Sequence, residues 1–192
     1  MQISVLREIS NIGAGNAATA LSEMISSATD ISTPQVKVLS AAEAGNIADV
    51  LSGGTEAFLI KLSCDMKGAM LFLFPYAFIT RLAGTYFPDI KINGRADMNE
   101  MAESVIRETV NICAANYANN FSIMSGMTVD ISVPQSVTAP SADILAVNEG
   151  AVNVCFVNNS VSICDCGNSF SILFFPELDT IKDFMGRIGV EC

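Results

Sequence analysis

Residues 11–26, NIGAGNAATALSEMIS, return in altered form as NICAANYANNFSIMSG at 111–126. At an offset of 100, Asn11/Asn111, Ile12/Ile112, Ala14/Ala114, Asn16/Asn116, Ser22/Ser122 and Met24/Met124 coincide. A second echo pairs GAMLFLFPYAFITRLAG (68–84) with SFSILFFPELDTIKDFMG (169–186), with Pro75 and Pro176 in register. Such self-similarity means that one structural unit is built twice. We read a single domain over 1–192 made of two repeats, about 1–95 and 96–192. The join falls near PDIKINGRAD (88–97), where Pro, Asn and Gly signal turns.

Each repeat opens with a helix. In ISVLREISNIGAGNAATALSEMI (3–25), Val5, Ile9, Ile12, Asn16 and Thr19 fall at three- and four-residue steps. Residues 98–124 read the same way through Met101, Val105, Ile112, Ala115 and Phe121. Alternation at 33–40 and 126–137 predicts strands. EAFLIKLSC and GAMLFLFP follow in the first repeat, AVNVCFVNNSVSIC and FSILFFP in the second. CDMKG and DCGN are expected to be the hairpin turns between them, and each repeat is expected to close with a short helix starting at its Pro. Two α-β-β-β-α units predict an internally duplicated, pseudo-two-fold α+β fold. Its antiparallel sheet would carry two long motif-bearing helices.

Composition removes several chemistries. No His occurs, which excludes Ser-His and Cys-His catalysis and His-based metal sites. A net charge of −10 disfavours nucleic acid and anionic membranes as partners. The apolar run AMLFLFPYAFI (69–79) is too short to span a bilayer and contains Pro75. Arg7 and Glu8 interrupt any secretory pattern at the start, so a cytoplasmic protein with reduced thiols is expected. Of six Cys, only Cys164 and Cys166 lie close together, and they are read as turn-associated or buried thiols. No metal and no cofactor of the chain's own is expected.

Residues 13–18, GAGNAA, satisfy G-x-G-x-x-G/A, the fingerprint of a dinucleotide turn. That turn needs a buried strand running into the first Gly. Here the preceding residues are helix-periodic, and the second copy replaces Gly13 with Cys113 and Gly15 with Ala115. The glycines are therefore read as packing residues, and Asp30 loses any role as a ribose acid.

The polar residues that survive duplication say more. Ser4-x3-Glu8-x2-Asn11-x22-Pro34 recurs as Ser104-x3-Glu108-x2-Asn111-x22-Pro134. On a helix, positions i, i+4 and i+7 share a face, so Ser, Glu and Asn form a polar stripe. A merely solvated face demands no particular residue types. Neighbouring positions do drift: Ser10 becomes Val110 and Glu23 becomes Ile123.

This doubled motif, with NIGAGNAATALS after its first copy, resembles the CheC branch of the CheC/CheX/FliY phosphatases over essentially the whole chain. The resemblance implies hydrolysis of the aspartyl phosphate of the response regulator CheY, with the receptor deamidase CheD as a further partner. It implies that Glu8 and Glu108 pair with the receiver's active-site Lys. Asn11 and Asn111 would orient the attacking water, since an amide can both donate and accept. Mg²⁺ would come with CheY. Pro34 and Pro134 are read as shaping the start of the following strand. For Ser4 and Ser104, anchoring of the docking helix and simple solvation both stay open. The rival reading is a non-catalytic adaptor that binds CheD or phosphorylated CheY.

Overall fold

The computed structural model describes residues 3–147, 153–164 and 167–190. The first half contains α1 (Ile3–Ile25), β1 (Thr29–Ile31), β2 (Gln35–Ser40), α2 (Ala41–Ser52), β3 (Thr55–Cys64), β4 (Gly68–Pro75) and α3 (Tyr76–Gly84). After a 3-10 turn at Arg95–Asp97 the order repeats: α4 (Glu100–Ser125), β5 (Val129–Ile131), β6 (Gln135–Val137), α5 (Pro140–Val147), β7 (Asn153–Ile163), β8 (Ser169–Pro176) and α6 (Leu178–Arg187). The fold is α+β with an internally duplicated antiparallel sheet, as expected. The turn CDMKG joins β3 to β4, whereas part of DCGN lies outside the described residues.

One expectation needs correction. Each half is α-β-β-α-β-β-α rather than α-β-β-β-α, because α2 and α5 are present, β1 precedes the segment expected at 33–40, and the segment expected at 126–137 is broken into β5 and β6. A local signal for α2 is visible in the residues themselves. Ser40 accepts from the Glu43 amide at 3.2 Å, while the Glu43 carboxylate accepts from the Ser40 amide at 2.9 Å, a reciprocal capping box. Pro140 opens α5, at a position where its missing N–H has no helical partner to lose.

The sheet order is β1-β7-β8-β4-β3-β5, with β2 also on β7 and β6 also on β3. The pseudo-two-fold axis therefore passes between β8 and β4. The strands after each motif helix cross to the other half: β1 and β2 pair with β7, while β5 and β6 pair with β3. A cut near residue 95 would strand each pair away from its partner.

Both faces of the sheet are covered. Phe58, Ile60, Met70, Phe72, Phe74, Ile172 and Phe174 face the layer formed by α1, α3, α4 and α6. Their neighbours Ala57, Leu59, Ala69, Leu71, Leu73, Leu173 and Phe175 pack with Ala44 and Ala48 of α2 and Ile144 of α5. Successive strand residues point to opposite faces. A strand buried on both sides is therefore apolar throughout, which accounts for GAMLFLFP and FSILFFP.

The motif helices α1 and α4 pack directly on each other, running in opposite directions. Asn120 donates to the Ile9 carbonyl at 3.2 Å, and the Cys113 thiol lies 3.7 Å from the Ala17 carbonyl. A Cβ on Gly13 would sit 3.4 Å from the Tyr117 ring. Positions 13 and 117 thus meet as Gly and Tyr, and the equivalent positions 113 and 17 meet as Cys and Ala. The same contact is made twice with its volumes redistributed. That is why the glycine of the first copy disappears from the second. Gly13→Ala is expected to stay within about 1 kcal/mol of the parent, because its helix propensity offsets the tight contact. Gly13→Leu would overfill the crossing and destabilise by about 1–3 kcal/mol in urea unfolding.

Candidate functional site

The two polar stripes lie on α1 and α4, and the helix crossing keeps them apart. With position 13 against 117 and 17 against 113, Asn11 and Asn111 are eight residues apart along the shared axis. At 1.5 Å per residue this is an axial offset of about 12 Å, and for Glu8 and Glu108 the axial offset is about 21 Å. Each stripe is therefore a centre of its own.

At the second centre, Ser104, Glu108, Asn111 and Pro134 line one groove of about 620 Å³, together with Glu100, Glu103, Arg107 and Val133. Ser104, Glu108 and Asn111 are exposed and Pro134 is half-buried. At the first centre Ser4 and Glu8 are exposed, Asn11 is half-buried and Pro34 is buried. Neither Asn11 nor Asn111 spends its amide on a side-chain hydrogen bond among the described residues. Both are left able to hold a water.

Each proline sits in the break between two short strands, just before β2 or β6. The ladder is carried past the break by a serine. Ser32 donates its amide to the Ser160 carbonyl at 2.9 Å, and its hydroxyl accepts from the Ser160 amide at 3.0 Å. Ser132 does the same with Lys61, at 2.9 Å in both directions. Proline suits a position where the ladder asks for no N–H.

Arg107 was not among the residues singled out from the sequence, yet it fastens this groove. Its Nε and Nη2 donate to Glu103 Oε1 at 3.0 and 2.6 Å, and its Nη1 donates to the Pro134 carbonyl. The guanidinium carbon lies 5.6 Å from the centre of the Phe58 ring. One side chain thus ties the motif helix to the proline turn and to β3. The offset of 100 contains the signal, since Arg7 and Arg107 also coincide. Arg107→Ala is expected to cost about 1–2 kcal/mol, from a charged hydrogen bond, a cation–π contact and a half-exposed ion pair. Urea unfolding would measure it, and an unchanged midpoint would show that the fastening contributes nothing.

Beside the same centre, Met24, Tyr86, Phe87 and Val105 form an apolar pocket of about 280 Å³ that reaches Ser104 and Glu108. The Tyr86 hydroxyl donates to the Met24 carbonyl at 3.1 Å and fixes its rim.

No described cysteine lines the second groove. Burial pushes the thiols of Cys113 and Cys155 up to about 12. Cys64, exposed, donates to Asp130 at 3.2 Å, and that bond raises its thiol pKa. Cys164 is exposed, and Cys166 lies outside the described residues. No group of three or more His, Cys, Asp or Glu side chains is placed to hold a metal ion among the described residues. None of the described helices is long and apolar enough to cross a membrane.

The model of the CheC-like family matches residues 1–38 and 101–137, which contain both motif copies. CheY-P phosphatase CheC of Bacillus subtilis is 29% identical over 141 residues. That match takes in 70% of this chain but only 65% of the relative's length. CheC1 of Halobacterium salinarum is 24% identical over 190 residues, covering 97% of this chain and 96% of the relative. Among solved structures, Thermotoga maritima FliY superposes with a TM-score of 0.75 at 19% identity, covering 97% of this chain and 94% of that one. A chain of a CheX–CheY–BeF3–Mg²⁺ complex from Borrelia burgdorferi superposes with a TM-score of 0.56 at 15% identity, covering 86% of this chain and 95% of that one. The chain is thus similar to the CheC-like family in both motif segments, and it shares its fold with CheX and FliY structures.

Proposed function

We propose that this protein hydrolyses the aspartyl phosphate of phosphorylated CheY at two pseudo-symmetric Glu/Asn centres. The observation that carries the reading is the second groove, where Ser104, Glu108, Asn111 and Pro134 come together on one open face. The similarity to a protein named CheY-P phosphatase supports it, as does the likeness to a CheX fold found with CheY.

An aspartyl phosphate is already labile, so its hydrolysis needs neither a nucleophile nor a metal from this chain. It needs a water placed in line with the leaving oxygen and charge held in register. Asn11 and Asn111 each accept from and donate to the water, which fixes its orientation. Glu8 and Glu108, one turn earlier, pair with the receiver's active-site Lys and hold the helix against the phosphorylated pocket. Mg²⁺ belongs to the receiver. Ser4 and Ser104 begin the docking stripe, and CheD is a second partner of the same protein.

The test is the lifetime of phosphate on CheY with and without this protein. A shortened lifetime is expected. A lifetime unchanged or prolonged despite binding would replace the phosphatase with an adaptor that sequesters its partner.

A further inference from the structure

Arg7 and Arg107 occupy the same position of the repeated motif, but their surroundings differ. Arg107 is held by Glu103, by the Pro134 carbonyl and against the Phe58 ring. Around Arg7 two of these anchors are gone. Ile3 stands where Glu103 stands. The strand register puts Val157 in the place of Phe58, since Phe58 pairs with Ser136 and Val157 with its counterpart Val36.

Arg7 is exposed and has no side-chain hydrogen bond or ion pair among the described residues. The other four of the five arginines are engaged. Arg81 donates to Ser27 and Thr85, and Arg95 pairs with Glu56. Arg107 pairs with Glu103, and Arg187 pairs with Asp65 and Asp183. In a chain of net charge −10, Arg7 is thus the arginine without a side-chain partner among the described residues, next to Glu8 in sequence. It shares the helical face of Ser4 and Asn11, three and four residues away.

We propose that Arg7 is a specificity-determining residue that pairs with the acidic rim of the partner's phosphorylated pocket, a contact made at the first centre alone. The proposal rests on the phosphatase reading above. The second groove gathers Glu100, Glu103 and Glu108 around an arginine already engaged, so it presents net negative charge to an acidic partner. The first centre sets Arg7 against a single motif carboxylate. Exposed charges of this kind act on association and on its salt dependence. A phosphorylated, acidic receiver therefore docks at the first centre with help from charge, and at the second without it.

The experiment isolates each centre in the full chain. Glu108→Ala with Asn111→Ala silences the second centre, and Glu8→Ala with Asn11→Ala silences the first. Binding of CheY carrying beryllofluoride and Mg²⁺ is then measured at low and physiological salt. With the first centre active, adding Arg7→Gln is expected to weaken binding by about fivefold at low salt, the upper range for an exposed pair. It should also flatten the salt dependence, and Arg7→Lys should restore most of both. With the second centre active, Arg107→Gln should leave the salt dependence unchanged. Equal salt responses for the two glutamine variants, or none for Arg7→Gln, would overturn the proposal. Binding with the expected charge dependence but no phosphate release at either centre would sink the phosphatase reading and leave the assignment of Arg7 standing. Absence of binding at both centres would remove both.

Discussion

Replacing Asn11 and Asn111 together with alanine is expected to slow release of phosphate from CheY by about 100-fold, the size of effect that loss of positioning produces. Neither amide makes a side-chain hydrogen bond among the described residues, and both reach solvent. Truncation therefore breaks no side-chain hydrogen bond among the described residues, and stability should change by no more than about 0.5 kcal/mol. Loss of turnover without loss of fold separates water positioning from structure. Each single variant leaves the opposite centre intact, since the two Asn positions are offset by about 12 Å along the paired helices. The singles should then retain a substantial share of the rate, divided according to the relative strength of the centres. A double variant as active as the parent would show that the Asn amides do not orient the water.

Gly68→Ala is the largest effect expected on stability. Gly68 has φ +141° and begins β4 opposite Pro176 of β8, on the seam where the two halves of the sheet meet. A Cβ there would lie 2.3 Å from the Phe175 carbonyl oxygen and 2.7 Å from the Pro176 Cα. Both obstacles are backbone, so no rotamer change can clear them. Either β4 moves away from β8, or the residue leaves a conformation that alanine rarely adopts. We expect a loss of about 3 kcal/mol, which in a domain of this size lowers Tm by roughly 6–12 °C. An unchanged Tm would mean that β4 and β8 do not approach this closely. Because the seam joins the repeats, this variant should also reduce phosphate release at both centres together, unlike the single Asn variants.

Several features were legible because they depend on residues close in sequence. The spacing of Val5, Ile9 and Ile12 marks α1, and the surviving Ser, Glu and Asn mark the face it presents. The apolar runs mark β3, β4, β7 and β8. The sequence also carries the signal for α2: a strand such as GAMLFLFP, apolar throughout, needs cover on both faces, and Ser40 with Glu43 spells the start of a helix that supplies it. Arg7 and Arg107 coincide in the same alignment that found the motif.

The remainder depended on contacts between residues far apart in the chain. Nothing local says that β1 and β2 pair with β7 rather than with the hairpin of their own half, because strands of like pattern can pair either way. Nothing local says that Gly13 and Tyr117 fill one contact, or that Cys113 and Ala17 fill its twin. Those volumes are set by the crossing of two helices, and packing leaves no room to choose them separately. The sequence by itself determined the duplication, the two motif helices and the chemistry on their faces, since periodicity and residue type are properties of short stretches. Only the tertiary structure decided that the halves exchange strands and that the two centres stand apart. It also decided that one motif arginine is fastened while its twin has no side-chain partner among the described residues, because each of these is a relation between surfaces that exists only once the chain has packed.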